Sequence, residues 1–186
     1  MRCLVNGILF FIFQELTEAL TDHFEIEHAL GIDVDEDLIK AACEKVNRKQ
    51  IDFKTCDIIT NTKFIEDYLQ GQDFDQFDVI FCFSVSMWIH LNHGENGLKH
   101  LFRQCKRLCK GLFLLEPQPW KCYMTAARRM RKLNQPKFDH LDLIKQEHRQ
   151  ENLLPYITEL CENEGFKLIS TMGETHWKRP IMLFKN

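Results

Sequence analysis

A chain of 186 residues that is 45% apolar and 27% charged can build one domain with a full core, and its composition excludes a disordered, collagenous or membrane-embedded protein. Eight cysteines without a CxxC pair read as free thiols of a reduced, cytoplasmic protein rather than as a disulfide framework. The net charge of −3 excludes indiscriminate nucleic-acid binding but conceals a segregation: residues 15–98 carry 18 acidic against 6 basic side chains, whereas residues 99–132 carry 10 basic side chains against Glu116 alone. Such a basic block attracts a polyanion locally, or it is the solvated face of one helix through Lys99, Arg103, Lys106, Arg107 and Lys110.

In chain order, LVNGILFFIF at residues 4–13 is strand-like and too short to span a bilayer, and no small-residue cleavage site follows it. An amphipathic helix is expected over residues 15–24, with Leu16, Ala19, Leu20 and Phe24 on one face. A strand at residues 28–32, a helix at 36–48, a strand at 51–56 and a helix at 63–70 follow. FDVIFCF at 77–83 reads as a buried strand, SVSMWIHLNHG as the segment after it, and 94–109 as a helix. Next come a strand in GLFLLE, a helix at 120–133, an irregular stretch at 134–148, a helix at 151–164, and strands at 167–172 and 180–184. Alternating strands and helices predict an α/β sheet with helices on both faces.

In such a sheet the turn after the first strand holds glycines that let backbone approach a ligand, but residues 4–13 run into the next helix without one. The codons for Phe10, Phe11, Ile12, Phe13 and Gln14 are compatible with a pyrimidine-rich tract ending in CAG, the form of an intron's acceptor end. Residues 1–14 are therefore expected to be an atypical, intron-derived segment before a domain at 15–186, with a divergent first strand as the alternative.

Chemistry-bearing residues gather where apolar runs stop. Asp33 ends the second strand, where a carboxylate accepts hydrogen bonds from ribose hydroxyls, while Asp35 suits a helix cap with Asp37 in the first turn. Asp57 repeats the arrangement after the third strand: it suits an exocyclic adenine amine between Ile58 and Phe83, or it caps its own loop. Trp88, His90, Asn92 and His93 crowd donors and an aromatic face into six residues, suited to a phosphate and a stacked base, or to a buried structural histidine. His90 and His93 lack a third metal ligand at a telling spacing, so no metal is expected. Glu116 ends the fifth strand, Gln118 offers neutral hydrogen bonds, and Trp120 and Tyr123 offer stacking surfaces. On the helix they open, Arg128, Arg131 and Lys132 share one face across which a phosphate backbone can lie.

FDVIFCFSVSMWIHLNHGENGL, LLEPQPWKCY and the closing KRPIMLFK resemble the bicoid-interacting-protein-3 type of S-adenosyl-L-methionine-dependent RNA methyltransferases. The run EPQPWKCYMTAARRMRKLNQPKFDH is similar to the branch acting on RNA 5'-monophosphates of tRNA or precursor microRNA. The resemblance implies a class I, Rossmann-like sheet of seven strands, the last antiparallel and the first atypical or missing. It implies that Asp33 with Val34 borders the ribose, that Asp57 and Ile58 meet the adenine and that Phe83 closes the far side. It places His90, Asn92, His93, Glu116, Gln118 and Trp120 on the acceptor side. Its partner is a small RNA with a 5'-monophosphate, with neither a membrane nor an obligate protein partner. The chain departs from the family's DVGCN-type glycine turn, which would remove backbone donors from the cofactor site. The first reading is an RNA 5'-monophosphate methyltransferase, or an incomplete and inactive copy of one; the alternatives are a γ-phosphate-capping methyltransferase and a catalytically dead RNA-binding module.

Overall fold

The computed structural model describes residues 4–11, 25–46 and 48–186. Seven strands form one sheet in the order β3-β2-β1-β4-β5-β7-β6. They are β1 (Leu4–Phe11), β2 (Glu25–Asp33), β3 (Ile51–Thr55), β4 (Phe77–Phe83), β5 (Cys109–Glu116), β6 (Lys167–Glu174) and β7 (Pro180–Lys185). All neighbours pair in parallel except β7, which runs antiparallel to both β5 and β6. The five described α-helices are α1 (Glu36–Lys45), α2 (Thr62–Gly71), α3 (Ser86–Leu108), α4 (Trp120–Lys132) and α5 (Leu153–Asn163). The helix expected at residues 15–24 lies outside the described residues.

β1 occupies the central position between β2 and β4, with Phe10 opposite both Gly31 and Phe81. The strand is therefore present, and its alternation serves two cores, because successive side chains of a strand point to opposite faces. Leu9 and Phe11 join the larger core with Ile80, Leu98, Phe102, Phe113 and Ile157. Ile8 and Phe10 join the smaller one with Ala29, Ile39, Phe53 and Phe81. Phe10 stacks on Phe81 at 5.1 Å between ring centroids, so the central strand pair is fixed by aromatic packing as well as by its ladder.

α1 begins as its sequence dictates: the Asp35 carboxylate accepts from the backbone N–H groups of Asp37 (2.9 Å) and Leu38 (3.2 Å). α3 differs from expectation. The segment SMWIHLNHG, read as lying between strand and helix, is itself helical from Ser86, and the helix is interrupted at Gly94 (φ 67°, ψ −164°). A side chain is excluded there, since a Cβ on Gly94 would lie 2.7 Å from His140 Nδ1. Among the described residues no helix is long and apolar enough to cross a membrane.

The charge segregation resolves through ion pairs. On α3, Arg103 grips Glu164 through two hydrogen bonds (3.0 and 2.9 Å), Arg107 pairs with Glu66, and Lys99 pairs with Glu95. Lys110 at the start of β5 pairs with Asp78 at 2.9 Å. Four of the five cations in this half of the basic block are thus matched by carboxylates, and Lys106 donates to the Gly165 carbonyl. The cations of α4 have no such carboxylate partners among the described residues, so the field available to a polyanion arises from α4.

β4 and β5 approach closely at an irregularity in their register between Phe77 and Val79. A Cβ on Gly111 would stand 2.5 Å from the Asp78 carbonyl oxygen. Gly111→Ala is expected to lower stability by about 1–3 kcal/mol through this overpacking. Urea unfolding measures the effect, and a wild-type midpoint in the variant would contradict the packing described.

Candidate active site

The carboxyl ends of β4 and β5 and the turn entering β7 meet at one point. The site is built around Glu116, which is 1% exposed. Its Oε2 accepts from Ser84 Oγ at 2.7 Å; Ser84 is held at φ 59°, just past the end of β4. An Arg179 Nη1 donates to the same Ser84 Oγ at 2.8 Å and stands 3.5 Å from Glu116 Oε1. A carboxylate buried this deeply requires both a countercharge and hydrogen bonds. Arg179 and Ser84 supply them.

Two residues further, Gln118 is also buried, and its Oε1 accepts from Ser86 Oγ and from the Met87 backbone N–H, both at 3.2 Å. α3 has no side-chain cap of its own, so Gln118 satisfies one of its orphan N–H groups from across the sheet edge. This cap sets the direction in which α3 leaves the edge, and with it the positions of Trp88 and His90.

His90 is 2% exposed, with Nδ1 3.1 Å from the Tyr123 hydroxyl and the two rings edge to face. Burial pushes its pKa down to about 4; His140 and His148 act in the same direction, while Glu95 opposes them. The imidazole is therefore neutral at physiological pH. Above it the layers continue: Tyr123 stacks on Trp120 at 5.6 Å, and the Arg149 guanidinium lies 5.3 Å from the Trp120 ring centroid. Arg149 is itself anchored to the Ile144 and Asp142 carbonyls. Tyr123, expected as a stacking surface, is wholly enclosed. Asn92 donates to the Trp88 carbonyl at 2.9 Å on its own helix, and His93 is exposed.

His90 and His93 share a cavity of about 380 Å³ with His140, His148 and Tyr156. His148 stacks on Tyr156 at 3.7 Å, and the Tyr156 hydroxyl donates to Glu95. Despite the four histidines, no three His, Cys, Asp or Glu side chains among the described residues are placed to hold a metal.

On the other side of the sheet edge, Asp33 ends β2 with one carboxylate oxygen accepting from the Asp35 N–H at 2.8 Å. Val34 and Leu38 beside it are 68% and 51% exposed. Asp57 follows β3, and its oxygens accept from the Ile59 N–H (2.8 Å) and the Thr60 hydroxyl (3.0 Å), the loop-capping role foreseen as the alternative. Ile58 is 3% exposed, and Phe83 is half-buried, edge-on to Phe81.

The helix face expected to meet a phosphate backbone divides. Arg131 lines a cavity of about 450 Å³ with Met124, Asn134 and Phe138, while Arg128 and Lys132 are exposed and line neither it nor the carboxyl edge. Lys121, Thr125 and Arg129, four residues apart, face the carboxyl edge instead. Sequence reasoning passed over Ser84, Arg149, Trp177 and Arg179. A signal for Arg179 stood in KRPIMLFK, a pair of cations immediately before an apolar strand.

A seven-stranded sheet with one antiparallel strand, carrying its polar side chains at the carboxyl edge, defines a class I methyltransferase fold. A general methyltransferase-domain model matches residues 14–112, and the Bicoid-interacting protein 3 (Bin3) model matches residues 77–186. The chain belongs to the Bin3 family. It is 37% identical over 189 residues to the pre-miRNA 5'-monophosphate methyltransferase of Xenopus laevis, a match covering 98% of this chain and 72% of the relative. It is 38% identical over 160 residues to the RNA 5'-monophosphate methyltransferase of Homo sapiens, covering 84% of this chain and 54% of that protein, about half its length. Among solved structures, the N-methyltransferase NodS from Bradyrhizobium japonicum in complex with S-adenosyl-L-homocysteine superposes with a TM-score of 0.58 over 98% of this chain and 79% of its own. At 15% identity, that likeness is one of fold.

The depressed His90 pKa has a consequence for stability. Above its ordinary value of 6.5, His90 is neutral in folded and unfolded chains alike and its contribution is intact; as pH falls from 6.5 towards 4 the unfolded chain takes the proton first and stability is lost. The full loss is on the order of 3 kcal/mol. His90→Gln, which keeps a hydrogen-bonding group beside Tyr123, is expected to flatten the change in unfolding free energy between about pH 7 and about pH 5. Parallel wild-type and variant curves would contradict it.

Proposed function

We propose that this chain is an S-adenosyl-L-methionine-dependent methyltransferase that acts on the 5'-monophosphate of a small RNA. The observation that carries the reading is the sheet edge itself, where the buried Ser84–Glu116–Arg179 cluster adjoins α4 cations that have no carboxylate partner among the described residues, in a chain of the Bin3 family. The names of the frog and human relatives support the substrate class.

The residues present fit the nucleoside end of the cofactor. Asp33 retains a carboxylate oxygen for a ribose hydroxyl next to exposed Val34, and Asp57 and Phe83 flank the neighbouring strand ends where an adenine would lie. The segment that would meet the methionine end lies outside the described residues. When bound, S-adenosyl-L-methionine supplies the electrophilic methyl group.

The chain's own residues position and neutralise. A terminal phosphate is already anionic near neutral pH, its second pKa being about 6, so its oxygen is nucleophilic without a general base. The neutral, enclosed His90 is consistent with that economy: it holds Tyr123 and α4 in place and acts as a positioning residue. Glu116 likewise orients Arg179 and Ser84 rather than reaching substrate. Alignment of the phosphate by fixed cations, with water excluded, is the main contribution such a site makes. Asn92 and His93 sit further along α3 and belong to the outer rim of the acceptor side.

The division at residues 14 and 15 is part of this proposal. The general methyltransferase match beginning at residue 14 supports it, whereas the place of Leu4–Phe11 in the centre of the sheet favours a single folded unit. Sequencing the transcript across codon 14 separates the two. A reducing, cytoplasmic setting is also proposed, supported by seven described cysteines that are all free.

Methyl transfer from labelled S-adenosyl-L-methionine to one RNA bearing either a 5'-monophosphate or a 5'-hydroxyl tests the reading. Label is expected in the first and not in the second. Equal labelling of both would contradict the phosphate as acceptor, and labelling of neither by a folded, cofactor-stabilised protein would contradict the activity.

A further inference from the structure

A cavity of about 460 Å³ lies between the first turn of α3, the Lys121–Thr125–Arg129 face of α4 and the turn that joins β6 to β7. Two indoles open into it, Trp88 at 42% exposure and Trp177 at 52%. Lys121, Arg129 and Arg179 line the same space, with Met87 and Ala126 contributing apolar surface. Large exposed aromatics interleaved with cations are what a nucleotide requires, since a base stacks on an indole face while its phosphate meets the charges. The volume falls within the range of small-ligand sites.

Trp177 is held in place by its turn. The Thr175 N–H donates to the Arg179 carbonyl at 2.8 Å, the Lys178 N–H donates to the Thr175 carbonyl at 2.9 Å, and the Arg179 N–H donates to Thr175 Oγ1 at 3.3 Å. Arg179 then lies 5.4 Å from the Trp177 ring centroid and reaches back to Ser84 and Glu116, which joins the cavity to the sheet edge. Its buried Nε has no hydrogen-bond partner among the described residues. Trp88, on the opposite side, leans on Phe138 at 6.1 Å.

We propose that the cavity between Trp88 and Trp177 takes the 5'-terminal nucleotide of the RNA, its base against an indole and its phosphate beside Lys121, Arg129 and Arg179. The inference rests on the RNA 5'-monophosphate reading above and adds the location and means of recognition. It also moves the RNA track from the Arg128–Arg131–Lys132 stripe to the adjoining Lys121–Thr125–Arg129 stripe of α4. The exposed Trp177, which lies far along the sequence from the EPQPW motif, becomes a determinant of RNA affinity.

The test is tryptophan-fluorescence titration of the full chain with a 5'-monophosphorylated trinucleotide, alongside Trp177→Ala, Trp88→Ala, Arg129→Gln and Arg128→Gln. Saturable quenching of the wild type is expected, with affinity lowered about tenfold by Trp177→Ala and by Arg129→Gln, and less by Arg128→Gln. Because Trp88 and Trp177 both make contacts within the fold, each of their variants is judged only beside a wild-type unfolding midpoint; Arg129, an exposed side chain, carries the test without it. Wild-type affinity in Trp177→Ala and Arg129→Gln overturns the inference while leaving the methyltransferase reading intact. A larger loss in Arg128→Gln than in Arg129→Gln overturns it in favour of the other helix face. Absence of trinucleotide binding by the wild type, with no label transferred to monophosphorylated RNA, overturns both.

Discussion

The site depends on a buried carboxylate. Glu116 ends β5 almost fully enclosed, and a carboxylate in that position is tolerated only while its charge and lone pairs are met. Ser84 and Arg179 meet them from two other elements, the end of β4 and the turn into β7. Three segments distant in sequence are therefore fixed relative to one another by a cluster that loses its balance if any one member is removed. The positive φ of Ser84 is one local cost of this arrangement, and in that conformation its hydroxyl bonds to both Glu116 and Arg179.

From this point outward, each layer positions the next. Gln118 caps α3 through Ser86 and Met87, α3 carries His90 beneath Tyr123, and Tyr123 supports Trp120 under Arg149. Gly94 breaks α3 to admit His140, so the helix bends around the histidine-lined cavity instead of filling it. Polar groups thus do structural work beside the surface where substrate is proposed to bind. The cations available for RNA are those left over once α3 has paired its own with the acidic body.

Much of the fold was legible. FDVIFCF is a strand over its predicted length, the order of strands and helices follows the apolar periodicity, and Asp35 caps α1 as its spacing implied. The failures share a cause. In sequence, SMWIHLNHG reads as lying outside the helix because Gly94 looks like its start, whereas the cap that begins α3 is Gln118, more than thirty residues away. The basic residues of α3 and Lys110 look available in sequence because Glu164, Glu66 and Asp78 reach them from other elements. On α4 the spacing showed which side chains share a face but not which face looks at the sheet edge; that is decided by Tyr123 and Ala126 packing inward. Trp177 and Arg179 enter through a hairpin whose closing bonds leave no mark in local composition.

The carboxyl edge, with Asp33 at the end of β2, is proposed to bind the methyl donor although residues 12–24 contain no glycine. Calorimetric titration of the chain with S-adenosyl-L-homocysteine measures this directly. One saturable site, abolished by Asp33→Ala in a protein that remains folded, is the predicted result. The absence of binding heat and of thermal stabilisation in the folded wild type would contradict the account and leave a Bin3-family fold that engages RNA without transferring a methyl group.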